Sequence, residues 1–295
     1  MSARLHFWGP PAPRGREAPP PRAVPPMPPE RVEQLEVQET LRPVSRRAEP
    51  LEPFSLPWFL RVEQRRYGRH AAWIPRLLEF ARHPGERVLA LGGVLGTDWV
   101  QYARNRAQVC VCGTSAEHLA LVRRNFELRG LPGQFLHCPP ASLPAESASV
   151  DVVALATPLP GGEPPAPELA EEIYRVLKPG GKVVALLPAY YDAVFWQTVL
   201  LPWRRWAVAG RAARRPESRC TARQLRALFG RFAEHRAHKR HLRRSDLPHL
   251  WRFLPLPLME RLMGRFLVFK AFKPLRAAFR APRPAGAPAG RGEAA

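Results

Sequence analysis

The sequence predicts an α/β fold with a mostly parallel sheet, and three observations support this prediction. Short apolar runs alternate with amphipathic stretches between residues 87 and 188. The runs are apolar throughout, as in strands that helices cover on both faces. Glycine and proline stand at their ends. A chain of 295 residues, 45% of them hydrophobic, is long enough to enclose such a sheet.

The strands and helices of this core are predicted in chain order from the same pattern. Helical stretches are expected in 58–82, with Pro75 at or near a helix start. Further helices are predicted at 97–105, 115–130 and 167–178, with Ser115 as an N-cap and Pro179-Gly180-Gly181 after the last. Strands are predicted at 87–91, 107–112, 134–138, 150–156 and 182–188.

The pattern changes after Pro188. Residues 189–215 form an aromatic and basic insertion that contains YYDAVFWQTVLLPWRRW. A helix capped by Thr221 is predicted at 221–230. Residues 231–242 and 265–273 read as two strands, which we expect to form an antiparallel pair at the edge of the sheet.

The two ends of the chain differ from this core in composition. Residues 1–55 are rich in Pro, Arg and Glu, so we expect a disordered arm, in which PPERVEQLEVQETL allows a short helix. Residues 275–295 form a similar basic tail. The predicted folded domain is therefore 56–274, with a helical segment (58–82), a core (87–188) and a C-terminal part (189–274).

Charge and hydropathy restrict the partners of the chain. Most of the net charge of +21 lies in residues 189–273, which suits an anionic surface or a nucleic acid, although a solvated arginine-rich surface is the simpler interpretation. We expect no transmembrane span, because no run of about 20 uncharged apolar residues occurs. The N-terminus has no secretory signal, so a cytoplasmic location is expected.

The cysteines and histidines favour structural roles over metal binding. The four cysteines are irregularly spaced, and Cys110 and Cys112 lie within the apolar run AQVCVC, which favours buried free thiols in a reducing compartment. His235, His238 and His241 recur every three residues among Arg and Lys. A polar strand is favoured there, so no metal site is predicted.

Four sequence motifs together resemble a known family. They are VLALGGVLGTDWVQYAR, AQVCVCGTSAEHLALVRRNFELRGL, SVDVV and EEIYRVLKPGGKVVALLP. Over about residues 58–273 the chain resembles the class I S-adenosylmethionine-dependent methyltransferases of the type 11 kind. The resemblance implies a Rossmann-like seven-stranded sheet, with five parallel strands, an antiparallel pair and helices on both faces. It also implies S-adenosylmethionine as cofactor and methyl transfer to a small-molecule or lipid-like acceptor.

The resemblance also assigns site residues, although it names no catalytic group. Those expected to bind the cofactor are Leu91, Gly92, Gly93, Gly96, Thr97, Asp98, Gly113, Ser115, Pro139 and Ala156. Those expected on the substrate side are Glu63, Tyr67, Tyr190 and Tyr191.

The chain departs from the family pattern at several of these strand ends. Ala90, Gly113 and Pro139 stand where the pattern has carboxylates, and Val94 replaces a glycine of the turn. A hydrogen bond to a charged group contributes about 1.5–3 kcal/mol, so we expect weakened cofactor binding. Two alternatives to a methyltransferase therefore stay open: a non-catalytic binding or scaffold protein with this fold, and an RNA-associated modifier.

Overall fold

A computed structural model describes residues 27–40, 51–68, 71–139, 142–159, 165–200, 219–247 and 251–275. The described strands form one seven-stranded sheet of order β3-β2-β1-β4-β5-β7-β6. The strands are β1 Arg87–Gly92, β2 Gln108–Gly113, β3 Gln134–His137, β4 Val150–Ala156, β5 Leu177–Pro188, β6 Glu234–Arg240 and β7 Phe266–Phe272.

The strand directions confirm the predicted sheet. Strands β1 to β5 are parallel, and β7 runs antiparallel between β5 and β6. Strand β1 lies inside the sheet between β2 and β4, with Leu89 beside Cys110 on one neighbour and Val153 on the other. The carboxyl ends of β1, β2 and β4 therefore meet at one edge, which is where ligands bind in sheets of this kind.

Helices pack on both faces of the sheet. The described helices are α1 Pro29–Thr40, α2 Leu56–Arg66, α3 Ile74–Leu78, α4 Thr97–Arg104, α5 Ala116–Glu127, α6 Pro167–Val176, α7 Ala193–Leu200, α8 Ala222–Leu228 and α9 Leu256–Met263. Ser115 and Thr221 cap α5 and α8 as predicted, by accepting hydrogen bonds from the backbone N–H of His118 and Gln224. None of the described helices is long and apolar enough to cross a membrane.

The core consists of two apolar layers, one on each face of the sheet. Leu89 and Leu91 of β1 belong to one buried cluster, whereas Val88 and Ala90 belong to the other. This alternation follows from the two-residue period of a strand. It confirms that both faces of the sheet are covered, as the continuous apolar runs predict.

Strand β5 begins earlier than predicted. The helix expected over 167–178 ends at Val176, and the PGG turn lies inside β5. Pro179 disfavours helical backbone at the residue before it. Gly180, with φ of +79°, and Gly181 instead exchange backbone hydrogen bonds with Lys273, beyond β7, at 3.0 and 2.8 Å.

Residues 29–40 of the predicted arm form α1, in the stretch where the sequence allows a short helix. Val32 and Leu35 are buried in a cluster with Trp58 and Phe59 of α2 and with Leu95. The apolar residues of this helix have a partner only in the folded chain, so the sequence does not show where the helix packs. Residues 1–26 and 41–50 of the predicted arm, the tail beyond 275, and Trp203 and Trp206 of the insertion lie outside the described residues.

Candidate functional site

The glycine turn after β1 is the centre of the predicted cofactor site. Gly92, Gly93 and Gly96 have φ of +76°, +78° and +70°, a region that side-chain-bearing residues rarely adopt. Gly96 is the N-cap of α4, so the helix begins at Thr97 as the sequence indicates. The turn therefore has the strand–turn–helix geometry of a nucleotide-binding fold.

The turn is closed over by the chain itself. A Cβ at Gly92 would overlap the backbone carbonyl oxygens of Ala156 and Pro158, at the exit of β4. The indole nitrogen of Trp99 donates to the Gly92 carbonyl at 3.0 Å. Every residue from 88 to 100 is buried. The glycine therefore makes room for neighbouring protein backbone, and the space beside it is filled.

A carboxylate from α1 occupies the backbone amides of the turn. Glu39 accepts hydrogen bonds from the N–H of Leu95 at 3.3 Å and of Thr97 at 3.2 Å, and only 4% of the residue is exposed. A negative charge at this position is stabilised by backbone N–H groups that have no acceptor within the helix, and by the positive end of the α4 dipole. Glu39 thus fills the anion-binding part of the turn with a group of the same chain.

Asp98 is held in a buried ion pair with Arg66. The Arg66 guanidinium donates to both Asp98 carboxylate oxygens, from Nε at 2.7 Å and from Nη2, and to the Glu39 carbonyl. The Tyr67 hydroxyl donates to Asp98 Oδ1 at 2.8 Å. Burial lowers the pKa of Arg66, but Asp98 and Glu39 outweigh this effect and raise it. Burial, followed by Asp98, raises the pKa of Tyr67. Both carboxylate oxygens of Asp98 therefore accept hydrogen bonds from residues at the end of α2.

His118 fills the space beside the carboxyl end of β2. A Cβ added at Gly113 would lie 3.0 Å from His118 Nδ1 and 3.3 Å from Leu119, so a carboxylate side chain at this position would press against the ring. Burial lowers the pKa of His118, and Glu39 and the Gly93 backbone oppose this only in part. The imidazole is therefore neutral at pH 7 and offers no charge to a ligand there.

The other strand-end positions do not supply the missing charges. Ala90 is fully buried in an apolar cluster with Trp99 and Val100. Pro139 is exposed after β3. Ser115 is the cap of α5. The residues present therefore do not fit S-adenosylmethionine in the way that the family pattern holds it, because three carboxylates are missing and an internal carboxylate occupies the turn.

Three buried polar atoms near the turn have no hydrogen-bond partner among the described residues. They are Thr97 Oγ1, His118 Nε2 and Thr157 Oγ1, from the start of α4, from α5 and from the exit of β4. Buried polar groups usually make hydrogen bonds. These three atoms are therefore the groups of the site best suited to bind a polar ligand.

The predicted substrate-side residues separate into two places. Glu63 binds Arg104 and Arg129, each at 2.6 Å, and Gln101 at 2.9 Å, so it joins α2 to α4 and α5. Tyr190 and Tyr191 are about half exposed after β5. They line an open cleft of about 480 Å³ with Thr221, Arg223, Gln224 and Ala227. The lining residues of this cleft include none of the glycine turn.

Sequence reasoning missed Glu39 and His118. The signal for Glu39 was present, because VEQLEVQET carries apolar and acidic residues on a helical period, but nothing local shows where that helix packs. The signal for His118 was its place in the first turn of α5, close in sequence to Gly113, where the family pattern has a carboxylate. No group of three or more His, Cys, Asp or Glu side chains suited to a metal ion occurs among the described residues.

Comparison with known proteins finds a family match in the core of the chain. Residues 88–181 match the family model described as a methyltransferase domain. No curated protein matches the chain closely enough to be a relative.

Solved structures with a similar fold are distant in sequence. The methyltransferase in complex with the Trm112 methyltransferase activator of Haloferax volcanii is 19% identical, with a TM-score of 0.48 over 77% of this chain and 100% of that one. Phosphoethanolamine N-methyltransferase 2 of Haemonchus contortus, with bound S-adenosyl-L-methionine, is 16% identical, with a TM-score of 0.49 over 75% and 57%.

A S-adenosylmethionine-dependent methyltransferase of Aquifex aeolicus is 13% identical, with a TM-score of 0.43 over 68% of this chain and 88% of that one. The predicted resemblance is confirmed where it was most specific, between the glycine turn and the PGG motif. Residues 88–181 of this chain match the methyltransferase domain model, and they form the centre of the Rossmann-like, seven-stranded sheet.

Proposed function

We propose that this chain uses the methyltransferase fold as a binding protein and does not transfer a methyl group from S-adenosylmethionine. The observation that carries the proposal is the Glu39 carboxylate on the amides of Leu95 and Thr97, within a turn whose residues are all buried. A ligand anion at the turn would have to displace Glu39, and α1 with it. A carboxylate on the amides of a turn leaves none of those donors for a second anion.

The missing carboxylates support the same conclusion. Each charged hydrogen bond that Ala90, Gly113 and Pro139 cannot make removes about 1.5–3 kcal/mol of ligand binding. A loss of about 1.4 kcal/mol lowers affinity tenfold. Two such losses would reduce a micromolar affinity to the millimolar range if they were additive.

Isothermal titration calorimetry with S-adenosylmethionine and S-adenosylhomocysteine tests the proposal. We expect no binding heat from the full chain at millimolar ligand. In a matched variant, Glu39→Ala frees the amides of Leu95 and Thr97, and Gly113→Asp with His118→Ala places a carboxylate at the end of β2 and removes the ring that would crowd it. Binding by this variant alone would support the proposal. Micromolar binding by the natural chain would overturn it.

The partner of such a binding protein is expected to be anionic. Most of the positive net charge lies in residues 189–273, after the methyltransferase core. Arginines such as Arg223, Arg244 and Arg261 are exposed in the described part of this segment. For RNA as the partner, retention should fall steeply with added salt, because phosphate contacts release counterions. The four free cysteines support a reducing compartment.

Methyl transfer to a small-molecule or lipid-like acceptor is the second candidate. The match of residues 88–181 to a methyltransferase domain supports it, as do the unpaired polar atoms of Thr97, His118 and Thr157. Transfer of labelled methyl from S-adenosylmethionine to an extract of small molecules and lipids tests this candidate. Loss of that transfer in Gly96→Trp, whose side chain would collide with Val122, would establish it over the first proposal.

A further inference from the structure

Apolar side chains are exposed on and just before α9. Phe253 and Leu254 precede the helix and are 89% and 44% exposed, and Leu258 and Leu262 within it are 52% and 50% exposed. We call these four residues, three leucines and one phenylalanine, the leucine face. Leu258 and Leu262 are four positions apart, so their side chains lie on one side of the helix.

The leucine face is not the side of α9 that holds the fold together. Met259 and Met263 are buried in a cluster with Ala193 of α7, Leu242 and Leu247. Helix α9 therefore has two apolar sides, and folding uses only one of them. An amphipathic helix of a globular protein normally turns a polar side to water, so a second apolar side indicates a binding surface.

Positive charge surrounds the leucine face. Arg261 on α9 and Arg265 just after it are exposed. Glu260, an acidic residue of the same helix, is bound by Arg240 at 2.9 Å and accepts from the His241 N–H at 2.9 Å. Its negative charge is therefore neutralised within the fold. Leucines beside exposed arginines are the pattern of a helix that lies in the interface of an anionic membrane.

Other occupants suit this surface less well. Single-stranded nucleic acid binds through phosphate contacts and the stacking of successive bases on several aromatic side chains, whereas Phe253 is the one aromatic residue of the leucine face and the three leucines offer no stacking surface. A second copy of the chain would bring Arg261 and Arg265 of both copies to the same interface, which like charges disfavour. Anionic lipid satisfies both features, because acyl chains accept the leucines and headgroups accept the guanidinium groups.

We propose that the leucine face binds the surface of an anionic lipid bilayer, with Phe253, Leu254, Leu258 and Leu262 inserted below the headgroups and Arg261 and Arg265 at their level. The surface is separate from the glycine turn. The proposal therefore stands whether or not the chain binds S-adenosylmethionine.

Sedimentation with lipid vesicles tests the proposal on the full chain. We expect binding to phosphatidylcholine vesicles that contain phosphatidylglycerol and little binding to phosphatidylcholine alone. Leu258→Ser with Leu262→Ser should weaken binding by about tenfold or more, because two half-exposed leucines no longer enter the apolar region. Arg261→Gln should weaken it by about fivefold, the effect of one charge near an anionic surface.

A matched control distinguishes binding through the leucine face from non-specific adsorption to lipid. Leu60→Ser changes a leucine on α2 that is 43% exposed and lies outside the leucine face, and it should leave vesicle binding unchanged. Thermal unfolding should be the same for all three variants and the natural chain, because the changed side chains are exposed. Equal binding of the leucine double variant and the natural chain would overturn the proposal, as would no binding to either vesicle. A change from dimer to monomer in the double variant without vesicle binding would assign the face to a second copy.

Discussion

At the scale of single residues, the glycine turn depends on one carboxylate from a distant part of the chain. Glu39 is buried and accepts from two backbone amides of the turn, whereas Glu36 on the same helix binds Arg65, whose side chain is partly exposed. These two glutamates share a helix and differ in what they contact. They make a matched pair for measuring what the internal anion contributes.

We predict that Glu39→Gln lowers the free energy of unfolding by about 1–3 kcal/mol, because two buried amides lose a charged acceptor. Hydrogen exchange at the Leu95 and Thr97 amides should accelerate in the same variant. Urea unfolding and exchange by mass spectrometry measure the two effects. Glu36→Gln is the control and should leave exchange at the turn unchanged. Equal exchange in the two variants would contradict the assigned role of Glu39.

Gly92 and Gly130 form a second matched pair. Both have positive φ, but a Cβ at Gly92 would overlap two backbone carbonyls, while a Cβ at Gly130 would meet nothing within 4 Å. We predict that Gly130→Ala costs about 1 kcal/mol, the strain of a left-handed backbone. Gly92→Ala should cost at least about 3 kcal/mol more, because the exit of β4 must move. Similar unfolding midpoints for the two variants would show that the exit of β4 is free to shift.

At the scale of elements, Glu79 joins the end of α3 to two strands. It binds Lys182 of β5 and Lys270 of β7, the latter at 2.6 Å. Burial alone raises the pKa of Glu79, but the hydrogen bonds from Lys182 and Lys270 outweigh it and lower the pKa to about 2. The folded pKa lies below that of an unfolded glutamate, so the ionised form stabilises the fold.

The stability that Glu79 contributes should therefore be complete above about pH 4.5 and disappear as the pH falls toward 2. We predict that the difference in unfolding free energy between the natural chain and Glu79→Gln narrows over this range. Chemical denaturation at several pH values measures it. Glu171→Gln removes a surface ion pair with Arg231, in which both side chains are 58% exposed, and should give a small difference that varies little. A constant difference for Glu79→Gln would contradict the prediction.

At the scale of the whole molecule, the four cysteines report on the integrity of the core. Cys110, Cys112, Cys138 and Cys220 are free and buried, as the sequence predicted for a structural role. Hydrogen bonding to Cys110, together with burial, raises the pKa of Cys112, and hydrogen bonding to Cys112, together with burial, raises that of Cys138. The thiolate form of Cys112 and Cys138, which is the reactive form, is therefore scarce at neutral pH.

We predict that a thiol reagent labels none of the four cysteines in the folded chain at pH 7.5 and all four in denaturant. Labelling should follow global unfolding, because the cysteines lie on β2, after β3 and after β5, within one core. Mass spectrometry after timed labelling measures this. Rapid labelling of Cys220 alone would indicate local opening near the cleft beside Tyr190.

The sequence by itself determined the parts of the fold that depend on local pattern. Five apolar runs, the caps at Ser115 and Thr221, and the glycines at 92, 93 and 96 each reflect a local requirement, either burial on both faces, a helix start or a positive φ. The same local reasoning placed β5 too late, because the PGG motif pairs with Lys273, which is distant in the sequence.

Only the tertiary structure decided what occupies the turn and what lies on the surface. Glu39 is 56 residues from Leu95, and His118 reaches Gly113 only because α5 folds back along β2. The apolar residues of α9 could be divided into buried methionines and exposed leucines only because Met259 and Met263 pack in a cluster with the distant residues Leu242 and Leu247. Periodicity shows that a helix has an apolar side, but the packing of distant elements decides which side is covered and which is left for a partner.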